Sequence, residues 1–146
     1  MGRLPSILTL LLPALACGEK CNLDGSLRAR AGSGGVDCGR VEIGGDRGQT
    51  DACVVDAFHA GKPFFARYER RGTDSHVAFG LVRGADGVVT MLLYDGDPGG
   101  GSGDGRPVIL ASVCEGPSAV DSLASLTANA SPITCAASRS IGLVCE

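Results

Sequence analysis

Three stretches of this chain put chemically capable side chains close together. Asp74-Ser75-His76 has the residue types of a nucleophile with its base. Neighbouring residues of an extended segment point to opposite faces, so Ser75 and His76 diverge there. No Gly-x-Ser-x-Gly elbow occurs, since Gly100-Gly101-Ser102-Gly103 runs on into Asp104. In Tyr94–Gly105, the side chains of Asp95, Asp97 and Asp104 are hard oxygen donors of the kind calcium collects. The loop is incomplete as an EF-hand: Gly99 stands where a third acid belongs, and Arg106 where the closing Glu belongs. Its glycines lack the Lys-Ser/Thr pair of a phosphate-binding loop, and its acidity repels phosphate. The third stretch is Arg67, Glu69, Arg70 and Arg71 around Tyr68. Arginine beside aromatic rings is characteristic of binding hot spots, and a charged strand also protects a sheet edge. None of the three supplies a catalytic residue, a metal set or a cofactor site, which turns the reading towards binding.

The compartment is written at the amino terminus. Arg3 leads into an apolar run from Leu4 to Leu12, followed by the small-residue site Ala14-Leu15-Ala16 and then Cys17. The run is shorter than the roughly 20 apolar residues a membrane span needs, and Pro5 and Pro13 disturb a long helix. Residues 1–16 therefore read as an export signal. The junction Ala14-Leu15-Ala16-Cys17 resembles the lipobox of bacterial lipoproteins. That resemblance implies cleavage after Ala16, palmitate-type acylation of Cys17 and a lipid-anchored place in the cell envelope, at the outer membrane or the periplasmic face. Ala-x-Ala also suits ordinary signal peptidase, which would release a soluble secreted protein.

Cysteine parity agrees with the lipobox. The chain has seven cysteines, and an odd number in an exported protein leaves one thiol unpaired. Acylation of Cys17 leaves Cys21, Cys38, Cys53, Cys114, Cys135 and Cys145 for disulfides. Sequence leaves their connectivity open; the most local pairing joins Cys38 to Cys53 and Cys135 to Cys145, with Cys21 left for Cys114. No Cys-x-x-Cys pair occurs, and His59 and His76 are not at zinc-ligand spacing.

Composition bounds the rest. The net charge is −3, and loss of Arg3 leaves 12 basic against 16 acidic side chains, so a nucleic-acid partner is disfavoured. Residues 17–146 suit one domain. Residues 17–37 are rich in Gly, Ser and Arg and read as a flexible tether from the anchor, leaving 38–146 as a single domain.

Within that domain, Thr50 to Ala60 reads as the main helix, with Thr50 as N-cap, Ala52, Val55 and Phe58 inward, and Gly61-Lys62-Pro63 as the stop. His59 reads as a solvent-facing residue near its last carbonyls. The period then changes to two: Phe64, Ala66 and Tyr68 alternate with Arg67, Glu69 and Arg71. His76–Arg83 follows as a strand with Val77, Phe79 and Leu81 inward, and Asp86-Gly87 signals a hairpin into Val88–Asp95. Pro107–Cys114 reads as a fourth strand, Ser118 to Ala128 as a short helix opened by a capping box, and Ile141–Cys145 as a last edge strand. The expectation is an α+β fold: one main helix on a four- to five-stranded antiparallel sheet, stapled by disulfides. In topology, residues 50–114 resemble cystatin-like helix-plus-meander folds, half of the beta-lactamase-inhibitor-protein fold, and small lipoproteins of outer-membrane assembly. The Gln-Val-Val-Ala-Gly segment of protease-inhibiting cystatins is absent, so that activity does not transfer. The expected function is non-catalytic binding of a protein or ligand at the envelope, with a membrane contact through Cys17. The alternatives are a soluble secreted protein or a small envelope hydrolase.

Overall fold

A computed structural model describes residues 21–100, 105–127 and 129–145. The elements run α1 (Leu23–Ala31), β1 (Val36–Val41), α2 (Gly48–His59), β2 (Phe64–Arg71), β3 (His76–Arg83), β4 (Val89–Asp95), β5 (Val108–Ala119), a short 3-10 turn (Leu123–Ser125) and β6 (Ile133–Cys145). The six strands form one sheet in chain order. β1 and β2 are parallel, connected through α2, and every later neighbour is antiparallel. The fold is α+β, as the alternation of periods implies, but the sheet is mixed and carries two helices.

The helices occupy opposite faces. Because side chains alternate along a strand, Phe64, Ala66 and Tyr68 of β2 pack with Val54 and Ala57 of α2. Phe65 points the other way and packs with Leu23, Leu27 and Ala31 of α1. β3 is likewise buried on both faces, with Phe79 and Leu81 in one core and Ala78 and Val82 in the other. The expectation of a single inward face on this strand fails because a second helix covers the reverse side.

That second helix corrects the expected flexible tether over Leu23–Ala31; residues 17–20 lie outside the described residues. The Asn22 side chain caps α1 by accepting from the Gly25 N–H at 3.2 Å, and Gly32, at φ +77°, ends it. Leu23, Leu27 and Ala31 recur every four residues and are almost fully buried. Few apolar residues are needed because the contact is close. A Cβ on Gly80 of β3 would lie 2.8 Å from Leu27 Cδ2, so the glycine lets the helix settle on the sheet.

α2 ends in a Schellman arrangement. Gly61, at φ +69°, donates to Phe58 O at 3.0 Å, and Lys62 donates to Ala57 O at 2.9 Å. Its most buried stripe is Thr50, Asp51, Val54 and Ala57; Phe58 packs at the rim of the core as expected, whereas Ala52 and Val55 are not part of it. A charged residue, Asp51, thus occupies a core position. His59 is exposed at the helix end, as expected.

The tail also differs. The expected short helix does not open at Ser118: β5 runs through Ala119, and Ser118 Oγ hydrogen-bonds to Thr134 Oγ1 across the ladder at 2.9 Å. Only Leu123–Ser125 turns helically, and β6 begins at Ile133 rather than Ile141. Three disulfides staple the domain. Cys38–Cys53 is as expected, but the other two are Cys114–Cys135 and Cys21–Cys145. The long β5–β6 hairpin sets Cys114 beside Cys135, and α1 carries Cys21 to the end of β6. Proximity along the chain decided only the first bridge.

Candidate functional site

The charged strand residues come first, because the structure separates them. Glu69 is buried on the α1 face. Arg67 Nε and Arg40 Nη2 meet its Oε1 at 2.6 Å and 2.8 Å, while its Oε2 meets His76 Nε2. Arg67 Nη1 reaches Asp24 in the first turn of α1 at 3.1 Å, and Arg40 Nε reaches Glu42 at 2.9 Å. The expected charged solvent face is instead a cluster around the buried Glu69, with Arg67 largely covered and Arg40, His76 and Asp24 half exposed at its rim, tying β1, β2, β3 and α1 together. Of the four residues singled out on this strand, only Arg71 is exposed.

On the opposite face lies a second buried group. Asp51 is engaged by Arg47 of the preceding turn and accepts from the Tyr68 hydroxyl at 2.9 Å. Burial, followed by the Asp51 charge and the hydrogen bond donated to it, pushes the Tyr68 hydroxyl far above the usual phenol range. Arg47 also donates to Thr127 O and Ala130 O, both at 2.7 Å, and Arg70 donates to Asn129 O at 2.9 Å. These guanidinium groups hold the segment before β6 over the sheet. Burial and then the neighbouring Arg47 charge lower the pKa of Arg70, whose guanidinium lies 4.8 Å from the Phe79 ring centroid.

The tripeptide Asp74-Ser75-His76 does not assemble a nucleophile. Ser75 Oγ donates to Asp95 Oδ1 at 2.8 Å, whereas the His76 ring turns to Glu69 and lies edge-on to Tyr94 at 5.5 Å. Asp95 Oδ1 also accepts from the Asp97 N–H at 3.0 Å, closing the start of the glycine-rich loop. Asp104 and Cys17 lie outside the described residues. Among the described residues, no three His, Cys, Asp or Glu side chains gather as a metal set. Two open grooves flank α1, of about 570 and 850 Å³, and neither is lined by Ser75, His76 or Asp95.

What the sequence did not reveal is a row of side chains crossing the α2 face. Tyr68, Phe79, Leu93, Leu110 and Leu143 are successive cross-strand partners on β2 to β6. Their exposures are 6%, 8%, 41%, 43% and 55%. The row begins beneath α2 and emerges into solvent because the helix packs chiefly on β1 and β2. Arg70 lies over Phe79 where the cover ends. Alternation within each strand sets which face these leucines take. The lateral register that lines them up depends on four successive strand pairings, whose ends, Tyr68 and Leu143, lie 75 residues apart.

Compared with known proteins, the chain matches no family model, no curated protein and no solved structure at a significant level. Its chemistry must be read from the arrangement itself. Three disulfides are those of an oxidising, exported environment. Among the described residues, no helix is long and apolar enough to cross a membrane.

Proposed function

We propose that this chain is an exported, lipid-anchored domain of a bacterial cell envelope that works by binding rather than by catalysis. The observation that carries the reading is the exposed apolar end of the cross-strand row, Leu93, Leu110 and Leu143. Large apolar side chains aligned on a solvent-facing sheet mark a contact surface more often than singly scattered ones do. Arg70 stacked on Phe79 adds an arginine–aromatic pair of the kind found at interface centres. Glu69 and Asp51 are each satisfied by partners within their own cluster, which suits a rigid platform.

The anchoring part of the proposal rests on the Ala14-Leu15-Ala16-Cys17 junction and on cysteine parity. All six remaining cysteines are paired, so Cys17 is the one left over for a lipid. Intact mass of the protein from its native membrane fraction, with and without reduction and alkylation, tests this. The expected result is residues 17–146 carrying acyl chains, with six thiols alkylated only after reduction. An unmodified mass in the soluble fraction, with one free thiol, refutes the anchor.

A further inference from the structure

We infer that the outer edge of β6 pairs with a second copy of this chain: Thr134–Ser140 runs antiparallel to the same segment of its partner, joining two sheets into one. The inference goes beyond the exposed leucines and concerns the edge of the sheet rather than its face. Three observations converge on it.

The first is the contrast between the two edges. β1 is guarded. Its register with β2 breaks between Asp37 and Arg40, and Gly39 adopts φ +93°. Asp37 and Arg40 are exposed there, ion-paired with Arg28 and Glu42. Irregularities and charges of this kind stop another strand from adding. β6 has no such break over Thr134–Ser140. Its register with β5 is unbroken from Ile133 to Ser140, and both shifts fall beyond, towards Cys145. Every residue of the segment but Cys135 is exposed, and none is proline or lysine. Its one charge, Arg139, is matched by Glu115 at 3.1 Å. Among the described residues no strand pairs with the outer side of β6, which leaves a row of backbone N–H and C=O groups facing solvent.

The second is the fit of the strand to itself. A two-fold axis perpendicular to the sheet at Ala137 sets Ala137 against its own copy. Ser138 then meets Ala136, Arg139 meets Cys135 and Ser140 meets Thr134. No charge meets its like, and the side chains at the centre are small. Pairing over this segment makes about seven hydrogen bonds, within the range of about 10 ± 5 that a specific interface carries. Neither groove flanking α1 is lined by residues of the segment, so an unrelated peptide would find backbone but no pocket to select it. With β1 guarded, the pairing closes as a dimer instead of growing into a fibre.

The third is where the chain enters. In a continuous antiparallel sheet, opposed side chains share a face, so the α1 faces of both copies lie on one side. The Cys21–Cys145 bridge belongs to that face, since Cys145 packs against the α1 core. Both chains therefore enter the pair from the same side, as two chains anchored in one leaflet must. This point alone rests on the lipid anchor. Confinement to one membrane also raises the effective concentration for a contact this small.

A cross-link at the axis tests the inference. Directly opposed Cα atoms of an antiparallel pair lie about 4.5–5.5 Å apart, inside the range a disulfide bridges. The full chain carrying Ala137→Cys is recovered from its native fraction, membrane or soluble, and oxidised with copper phenanthroline. An Ile43→Cys chain reports from the loop after β1, at the guarded edge. The expected result is a species of twice the mass at 137, released by reductant, with none at 43. Adding Ala136→Lys and Ser138→Lys to the Ala137→Cys chain sets like charges across the axis and should abolish it. Peptide mapping of the three intramolecular bridges shows that each variant is folded. No doubled species at 137, equal cross-linking at 43, or a doubled species that survives the lysines overturns the inference. An adduct of any other mass gives the edge to a different protein and overturns it as well. Failure of the anchor shows separately, as an unacylated mass, and the comparison of 137 with 43 is then read in the soluble fraction.

Discussion

Tyr68 and Leu143 stand in one cross-strand row, yet they live in different solvents. At Tyr68 the sheet is covered by α2, and even an aspartate is drawn into the core because Arg47 and the tyrosine hydroxyl satisfy it. At Leu143 the same face is bare, and a large apolar side chain is left more than half exposed. What differs is the reach of a 12-residue helix, which at about 1.5 Å per residue spans some 18 Å and cannot cover a six-stranded sheet. The covered half pays for itself in stability, and the bare half is left available for contact.

Breaking the bridges separates the halves most strongly. Cys21–Cys145 spans 124 residues and Cys38–Cys53 spans 15. In the chain-entropy account, replacing both cysteines of the long bridge by serine is expected to cost about 5 kcal/mol, and of the short one about 3 kcal/mol. Urea denaturation of the two double variants checks the order. Equal losses would mean that the corner where α1 meets β6 is held by packing rather than by the bridge.

Next in size is the buried charge. Asp51→Ala leaves Arg47 without its carboxylate and Tyr68 without its acceptor, and should lower stability by about 3–5 kcal/mol. Melting of the variant beside Asp51→Asn, which keeps an acceptor, measures how much of the loss is charge.

A matched pair of leucines tests the comparison directly. Leu81→Ala under α2 should cost about 3 kcal/mol, whereas Leu110→Ala on the bare half should cost less than about 1 kcal/mol. A large loss at Leu110 would show that the exposed row contributes to folding after all.

The smallest effect is alkaline. The Tyr68 pKa is raised in the folded state, so folding favours the neutral phenol. The contribution is complete below the unfolded tyrosine value of about 10 and is lost progressively as pH rises beyond it. Stability should fall above about pH 10, and Tyr68→Phe should make that fall shallower in melting curves taken across the range.

Much of the sheet was legible because the alternation is local. Phe64–Arg71 and His76–Arg83 are strands with the boundaries the pattern implies, and Asp86-Gly87 makes its hairpin. The signal for α1 was present in Asn22, Leu23, Leu27, Ala31 and Gly32. It was masked by glycine, serine and arginine, which resemble a linker when the receiving surface is unknown. Ser118 and Asp121 had the spacing of a capping box, but Thr134, 16 residues away, captures Ser118 into the ladder. Glu69 shows the same limit. By type it belongs outside, and only Arg40, Arg67 and His76, from three different strands, make its burial tolerable.

The sequence by itself determined the period of each strand, the stops at Gly61 and Gly87, and the even cysteine count that remains once Cys17 is set aside. These depend on neighbours within a few residues or on counting. Tertiary structure alone decided how Cys21, Cys114, Cys135 and Cys145 pair, which charges are hidden, and that Leu93, Leu110 and Leu143 form one row beyond the edge of α2. The reason is physical. Cross-strand register and helix cover join residues far apart in the chain, and local preference carries no information about which distant surface will arrive.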